Sequence, residues 1–202
     1  MSDAVSPGPR ASPAGSAAFS LANHFLIAMP NMADPSFSGT VIYVCEHSAR
    51  GALGVVINRP TELTLQNLFE RVDLKLESDP RAKSPVLYGG PAHTDRGFVL
   101  HNQTDVHYDS TLQVDDGLAL TMSKDVLEAV SEGDGPLKLV VTLGHAGWGE
   151  GQLEEELGLN AWLTVRADPA IVFDVPHKER FGAAMQLLGI DPAMLSDQAG
   201  HA

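Results

Sequence analysis

The residue pair best suited to chemistry is Cys45 and His47, a thiol and an imidazole that stand two positions apart. A histidine next to a cysteine can serve as the base for a thiolate nucleophile. Residues i and i+2 of a strand share a face, so these side chains meet only if the strand through 41–44 continues to His47. A cysteine at the end of such an apolar run is more often a buried, inert thiol. We therefore assign no catalytic residue.

A glycine-rich segment, 144–153, lies between a predicted strand and a predicted helix. Backbone N–H groups at such a junction can hold a phosphate or a carboxylate. The segment lacks the Lys-Ser/Thr pair of a P-loop, its glycines do not have dinucleotide-binding spacing, and four glutamates crowd it. The favoured interpretation is a tight turn in which Trp148 packs as a lid on the core. No cofactor is predicted.

The remaining candidate functional residues are histidines, which can bind metals, and arginines, which can bind carboxylates. None of the eight histidines has the close spacing of a metal site such as HExxH, and one cysteine cannot form a CxxC pair, so no metal site is predicted. Arg59 follows a predicted strand and can pair with Asp34, with Glu46 or with a ligand carboxylate. An internal ion pair that fixes a loop is the favoured alternative.

Several of these groups would form a ligand pocket if the fold brought them together. This candidate ligand pocket consists of Asp34, Glu46, His47, Arg59, Arg96, Gly147 and Trp148.

Apolar patterning places these groups on a sheet with flanking helices. Runs rich in β-branched residues at 40–46 and 53–58 predict buried strands, and 137–143 is the strongest strand prediction. Thr64 is the predicted N-cap of a helix, and 170–173 is predicted to be a further strand. Strands and helices interleave without a repeating βα unit, which predicts an α+β fold and not a doubly wound sheet.

The composition bounds the class of protein. A chain of 202 residues, of which 44% are hydrophobic, suits one domain with a sizeable core. We divide it into a disordered tail at 1–18, one domain at 19–190 and a short C-terminal tail at 191–202. It has no apolar run long enough for a membrane-spanning helix, no signal-peptide core and a lone cysteine, which together predict a cytoplasmic protein.

The net charge of −13 restricts the partners. Affinity for DNA and RNA comes largely from Lys and Arg contacts to phosphates, and this chain has 13 such residues, scattered along its length. The charge therefore disfavours direct nucleic-acid binding, and it disfavours an anionic membrane surface for the same reason. A small site for a single anion remains compatible with this charge.

Six segments together resemble the YqgE/AlgH family. In chain order they are MPNMADPSF at 29–37, VCEH at 44–47, GALGVVINRP at 51–60, YGGP at 88–91, RGFVLH at 96–101 and GWGEGQLE at 147–154. The resemblance spans about residues 21 to 188. It implies an α+β fold whose irregular, branched, mainly antiparallel sheet curls into a pseudo-barrel flanked by helices, in a bacterial cytosolic protein. Family members carry a transcriptional-regulator label and have no established catalytic residues, so none is transferred.

Three functions remain open from the sequence. The leading hypothesis is a non-enzymatic binding or regulatory protein that acts through a protein or small-ligand partner. The second is an enzyme with a pocket near His47, Arg59, Arg96 and the Gly147 loop. The third is a direct transcriptional regulator, which the charge disfavours. The first two differ in geometry, because catalysis requires those groups to surround one concave pocket.

Overall fold

The computed structural model describes residues 19–114 and 117–191. The predicted tails lie outside these ranges, except for residue 191. The described strands are β1 (His24–Ala28), β2 (Val41–Ser48), β3 (Gly51–Val56), β4 (Pro60–Thr64), β5 (Pro85–Tyr88), β6 (Ala92–Asn102), β7 (Thr111–Val114), β8 (Leu118–Thr121), β9 (Leu139–Trp148) and β10 (Trp162–Arg166). The described helices are α1 (Leu65–Arg71), α2 (Asp125–Glu132), α3 (Gln152–Gly158), α4 (Pro169–Phe173) and α5 (Arg180–Leu187).

The strands form one branched, mainly antiparallel sheet in the order β10-β1-β2-β3-β9-β6-β8-β7. The branch lies on β9. Near its end Gly147 pairs with Leu53 of β3, whereas Leu143 pairs with Tyr88 of β5 in a parallel ladder. β4 extends the branch by pairing with β5. The sheet curls into a half-barrel, so the predicted α+β fold with a branched, curled sheet is confirmed.

The branch requires two backbones to approach closely. A Cβ on Gly89 would lie 2.2 Å from the carbonyl oxygen of Gly144, and a Cβ on Gly90 would lie 2.2 Å from the carbonyl carbon of His145. No side chain fits at such distances, which is why two glycines stand at this point. The Gly-Gly pair therefore does more than turn the chain, because it seats the end of β5 against β9.

Successive side chains of a strand point to opposite faces of the sheet, so they pack into separate cores on the two faces. Tyr43 packs in a cluster with Met185 of α5, and the same cluster contains Val172 of α4. The adjacent residue, Val44, packs in a different cluster with Leu153 of α3. Helices α1 and α2 contribute to a third cluster against β5, β6 and β9. Helices thus cover both faces of the curled sheet.

The helix ends follow local capping chemistry. The Thr64 side chain accepts a hydrogen bond from the N–H of Asn67, so its prediction as an N-cap is confirmed. The predicted strand at 170–173 was wrong, because this run is helix α4. Asp168 accepts a hydrogen bond from the N–H of Ala170 at 2.9 Å, and Pro169 occupies the first turn. These two signals favour a helix over the β-preference of the short apolar run.

Across the described part of the chain, no helix is long and apolar enough to cross a membrane.

Candidate functional site

The structure separates Cys45 from His47. Strand β2 does continue through His47, but a bulge between Val44 and Glu46 shifts the register by one residue. Cys45 consequently lies in the core that contains α4 and α5, whereas His47 bonds to α3 on the other face. Burial, and then the charge of Glu46, raise the pKa of the Cys45 thiol far above its usual value. The two side chains do not form a nucleophile and its base.

His47 links the N-terminal end of the described domain to α3. Its Nδ1 accepts a hydrogen bond from the backbone N–H of Leu21 at 2.9 Å, and its Nε2 lies 2.8 Å from the carboxylate of Glu154. A backbone N–H can only donate, so the imidazole hydrogen sits on Nε2 and is donated to Glu154. The backbone N–H of Glu154, followed by His47, holds the pKa of that carboxyl below its usual value. Both ring nitrogens are therefore occupied by structural bonds.

Trp148 belongs to a group of interlocked side chains that we call the indole cluster: Phe37, Trp148, Glu156 and Trp162. One carboxylate oxygen of Glu156 accepts the indole N–H of Trp148 at 2.9 Å and that of Trp162 at 2.7 Å. Phe37 stacks on Trp148 with ring centroids 6.3 Å apart. Trp148 is 6% exposed, so the prediction that it packs on the core is confirmed. Both indole N–H groups already have partners.

Arg59 fastens the loop that precedes β2. Its Nη1 donates to the carbonyls of Pro35 and Ser36, at 3.1 and 2.7 Å, and its Nη2 donates to the carbonyl of Ser38 at 2.8 Å. The Asp34 carboxylate accepts the backbone N–H of Ser36 at 2.8 Å. The loop is thus fixed from inside, as the favoured alternative expected, although through carbonyls and not through an ion pair.

The residues of the candidate ligand pocket do not surround a single pocket. Glu46 and Trp148 line one shallow depression, beside which Gly147 continues β9. His47 and Arg59 do not line that depression; they hold other segments, as described above. Arg96 is exposed on β6, and its side chain makes no hydrogen bond to any other described residue.

A larger cleft opens elsewhere, where the connection between α4 and α5 meets β5 and β9. Its volume is about 540 Å³, within the range of small-molecule sites. Most of its lining is apolar, with Leu87, Val141 and Phe173 among the contributors. Four basic residues also line it: Arg81, Lys138, His177 and Arg180. We call this site the Arg180 cleft.

Two of the four basic residues are neutralised by neighbours. Arg81 lies 2.6 Å from the carboxylate of Asp79, and its hydrogen bonds hold the pKa of that carboxyl below its usual value. Lys138 lies 2.8 Å from the carboxylate of Asp174. These ion pairs leave no net charge, so the charge of the cleft depends on the other two residues.

Arg180 is the exception. It is 7% exposed at the first turn of α5, where Nε donates to the carbonyl of Val175 at 2.9 Å and Nη1 donates to the carbonyl of Ile57. Within 19–114 and 117–191 no carboxylate pairs with it, and both hydrogens of Nη2 and one of Nη1 have no protein partner. A cation at the N-terminal end of a helix is also unfavourable for the helix dipole.

Burial lowers the pKa of Arg180 to about 10, well below its usual 12.5. The guanidinium still carries its charge at neutral pH. Since each pKa unit corresponds to about 1.4 kcal/mol, keeping it charged costs the folded protein about 3 kcal/mol. Burial, followed by the charges of Arg180 and Lys178, also lowers the pKa of His177, so that ring is uncharged at neutral pH. The cleft thus holds one uncompensated positive charge, which an anion would complement.

The described residues contain no group of three or more His, Cys, Asp or Glu side chains that could hold a metal ion.

Comparison with known proteins places the chain among close relatives. The AlgH-like (DUF179) family model matches residues 25–193. A UPF0301 protein of Paraburkholderia phymatum is 64% identical over 182 residues, which cover 90% of this chain and 95% of that protein. A UPF0301 protein of Ralstonia nicotianae is 62% identical over 186 residues, covering 92% and 97%.

Two solved structures are similar as well. The AlgH protein of Pseudomonas aeruginosa, solved in solution, is 48% identical with a TM-score of 0.73, over 96% of this chain and all of that one. Protein DIP2367 of Corynebacterium diphtheriae has a TM-score of 0.66 over 89% of each chain. Its identity is 20%, so this second likeness concerns the fold alone.

Proposed function

The chain belongs to the AlgH-like family, and from that premise we propose that it is a non-enzymatic protein that binds a small anionic ligand in the Arg180 cleft. The family model and the relatives confirm the resemblance to this family that the sequence showed. The matched relatives carry the name UPF0301, which states no activity.

The observation that carries the proposal is the uncompensated guanidinium of Arg180. A buried charge is costly unless it is paired, and proteins seldom bury one without a counter-ion. Two of its nitrogens donate to backbone carbonyls, but carbonyls do not neutralise its charge. A ligand with a negative charge supplies that missing partner, and the free N–H groups of Nη1 and Nη2 can receive it.

A binding role fits the positions of the reactive side chains better than catalysis does. Cys45 is enclosed in the core with a raised thiol pKa. Both nitrogens of His47 are engaged by Leu21 and Glu154. In the Arg180 cleft, Lys138 is paired with Asp174. Cys45 and His47 are thus committed to the fold, and the Lys138 ammonium is engaged by Asp174.

We place this protein in the cytosol, where it would act through its ligand and a protein partner and not through direct contact with nucleic acid. The net charge of −13 opposes binding to phosphate backbones. A regulatory effect on transcription, such as the family label suggests, would then be indirect.

A thermal-shift screen of small anions tests the proposal, in a low-salt buffer without phosphate or sulfate. A ligand present at ten times its Kd stabilises the folded state by about 1.4 kcal/mol, which raises the Tm by roughly 3–6 °C for a domain of this size. We expect at least one anion to raise the Tm of the wild type and to leave the Tm of Arg180→Met unchanged.

The matched control is Arg59→Met. Arg59 also donates to backbone carbonyls but lies outside the cleft. This variant should lose some stability and keep the full ligand-induced shift. A shift that persists in Arg180→Met, or one that disappears in Arg59→Met, would place the ligand elsewhere. If no anion raises the Tm of the wild type, the proposal fails.

A further inference from the structure

We infer that the ligand is a monocarboxylate with an apolar body, whose carboxylate bonds to Arg180 while its body lies along the apolar wall of the cleft. This inference rests on the proposed function and narrows it to one chemical class. It follows from the charge of the cleft, the donors that Arg180 leaves free and the composition of the lining.

The charge of the cleft favours a single negative charge. The Arg81–Asp79 and Lys138–Asp174 pairs are neutral as pairs, which leaves Arg180 as the uncompensated cation among the described lining residues. A monoanion balances that charge. A phosphate ester, which carries close to two charges at neutral pH, would leave one of them uncompensated against apolar walls. The acidic surface of the whole chain adds to the disadvantage of a multiply charged ligand.

Arg180 keeps N–H groups that can donate to a carboxylate. Because Nε and one hydrogen of Nη1 are used by carbonyls, the two hydrogens of Nη2 and the second hydrogen of Nη1 remain. A planar guanidinium that presents neighbouring N–H groups can bind a carboxylate with two parallel hydrogen bonds. The bonds to Val175 and Ile57 also hold the guanidinium in place, so little entropy is lost when the ligand arrives.

The apolar walls of the cleft favour a ligand that has an apolar body. Leu65, Leu87 and Val141 line it, and Phe173 and Val175 add further apolar surface near Arg180. A volume of about 540 Å³ is far more than a small inorganic anion occupies. Covering apolar surface contributes affinity in proportion to the area removed from water. A ligand with a chain or a ring therefore binds better than its bare charged group.

Calorimetric titration of the full chain with four probes tests this inference. The probes are sodium octanoate, octanol, sodium acetate and octyl phosphate. Octanoate is expected to bind at least about tenfold more tightly than each of the others, which is about 1.4 kcal/mol per comparison. Octanol lacks the negative charge, acetate lacks the apolar body, and octyl phosphate carries an extra charge. Each of these probes therefore differs from octanoate in one feature of the inferred ligand.

Three variants locate the site, and each is checked first for a cooperative thermal transition. Arg180→Lys keeps the charge but loses the planar fork, so it should weaken octanoate binding at least tenfold. Arg180→Met should abolish that binding, and Arg59→Met should leave it within twofold of the wild type. If Arg180→Met does not fold, Arg180→Lys and the probe series on the wild type still decide the matter.

The outcomes separate the two proposals. If octyl phosphate binds more tightly than octanoate and depends on Arg180, the inference is wrong and the anion-binding function stands. If octanoate binding is unchanged in Arg180→Lys, the paired hydrogen bonds of the inference are wrong and the anion-binding function stands. If octanol binds as tightly as octanoate, or if octanoate binding is unchanged in Arg180→Met, the anion is not recognised at Arg180 and both proposals fail. If neither octanoate nor octyl phosphate binds while another anion raises the Tm in an Arg180-dependent way, the inference fails and the anion-binding function stands.

Discussion

The indole cluster and the Arg180 cleft treat their buried polar groups in opposite ways. In the cluster, one oxygen of Glu156 accepts hydrogen bonds from both Trp148 and Trp162. In the cleft, Arg180 is buried at the start of a helix without a carboxylate partner in the described part of the chain. A buried polar group that is fully paired serves the fold, whereas a buried charge without a counter-ion indicates a partner that comes from outside.

The largest predicted effect is the loss of stability when Trp148 of the indole cluster is truncated. Truncation of a buried aromatic to alanine costs about 3–5 kcal/mol, so Trp148→Ala should lose that much free energy of unfolding in urea. Octanoate affinity should stay within about twofold of the wild type for as long as the variant is folded, because sites without shared partners are nearly additive. A stability loss below about 1 kcal/mol, the size of a surface change, would mean that the ring is not a core residue.

Glu156 gives the next largest effect. In Glu156→Gln an amide replaces the charged acceptor of two indole N–H groups, and hydrogen bonds to charged groups are worth about 1.5–3 kcal/mol each. We expect a loss of about 1–3 kcal/mol, because the amide oxygen keeps part of the bonding. Glu155→Gln is the control, since Glu155 is exposed on the same helix and should change stability by no more than about 0.5 kcal/mol. Equal losses in the two variants would show that Glu156 is not a node of the cluster.

The smallest effect concerns His177 in the cleft. Burial, and then the charges of Arg180 and Lys178, hold its pKa below the usual value. A bound carboxylate offsets the charge of Arg180, and Arg180→Met removes it, so both changes should raise the pKa of His177 toward its usual value. Titration of the imidazole signals by NMR measures this directly. A His177 pKa that is the same in the wild type and in Arg180→Met would mean that the charge of Arg180 does not act on this ring.

The sequence was informative where local signals decide the structure. The GALGVVINRP segment at 51–60 and its companions identified the family. Thr64 identified a helix start, and the flanking glycines of Trp148 indicated a ring packed on the sheet. Each of these features depends on neighbouring residues, so each can be read from the chain without knowing the fold.

Other features depend on contacts that the sequence does not show. The bulge at Val44 and Glu46 reverses the face of His47, and strict alternation cannot anticipate an extra residue in a strand. Arg180 was missed because an arginine at a helix start usually faces solvent. One signal was available: it stands four residues before Ala184, on the buried stripe of α5. The absence of a counter-ion within the described fold became visible only in three dimensions.

One NMR titration tests the contrast between the two regions in a single sample. The chain has two tryptophans, so it gives two indole N–H signals, both from the indole cluster. The Arg180 Nε–H signal can be assigned by its loss in Arg180→Lys. On addition of octanoate we predict that the Arg180 signal and the backbone amides around Val175 shift, while both indole signals stay in place. Shifts of the indole signals with no change at Arg180 would contradict this, and would place the ligand site at the indole cluster.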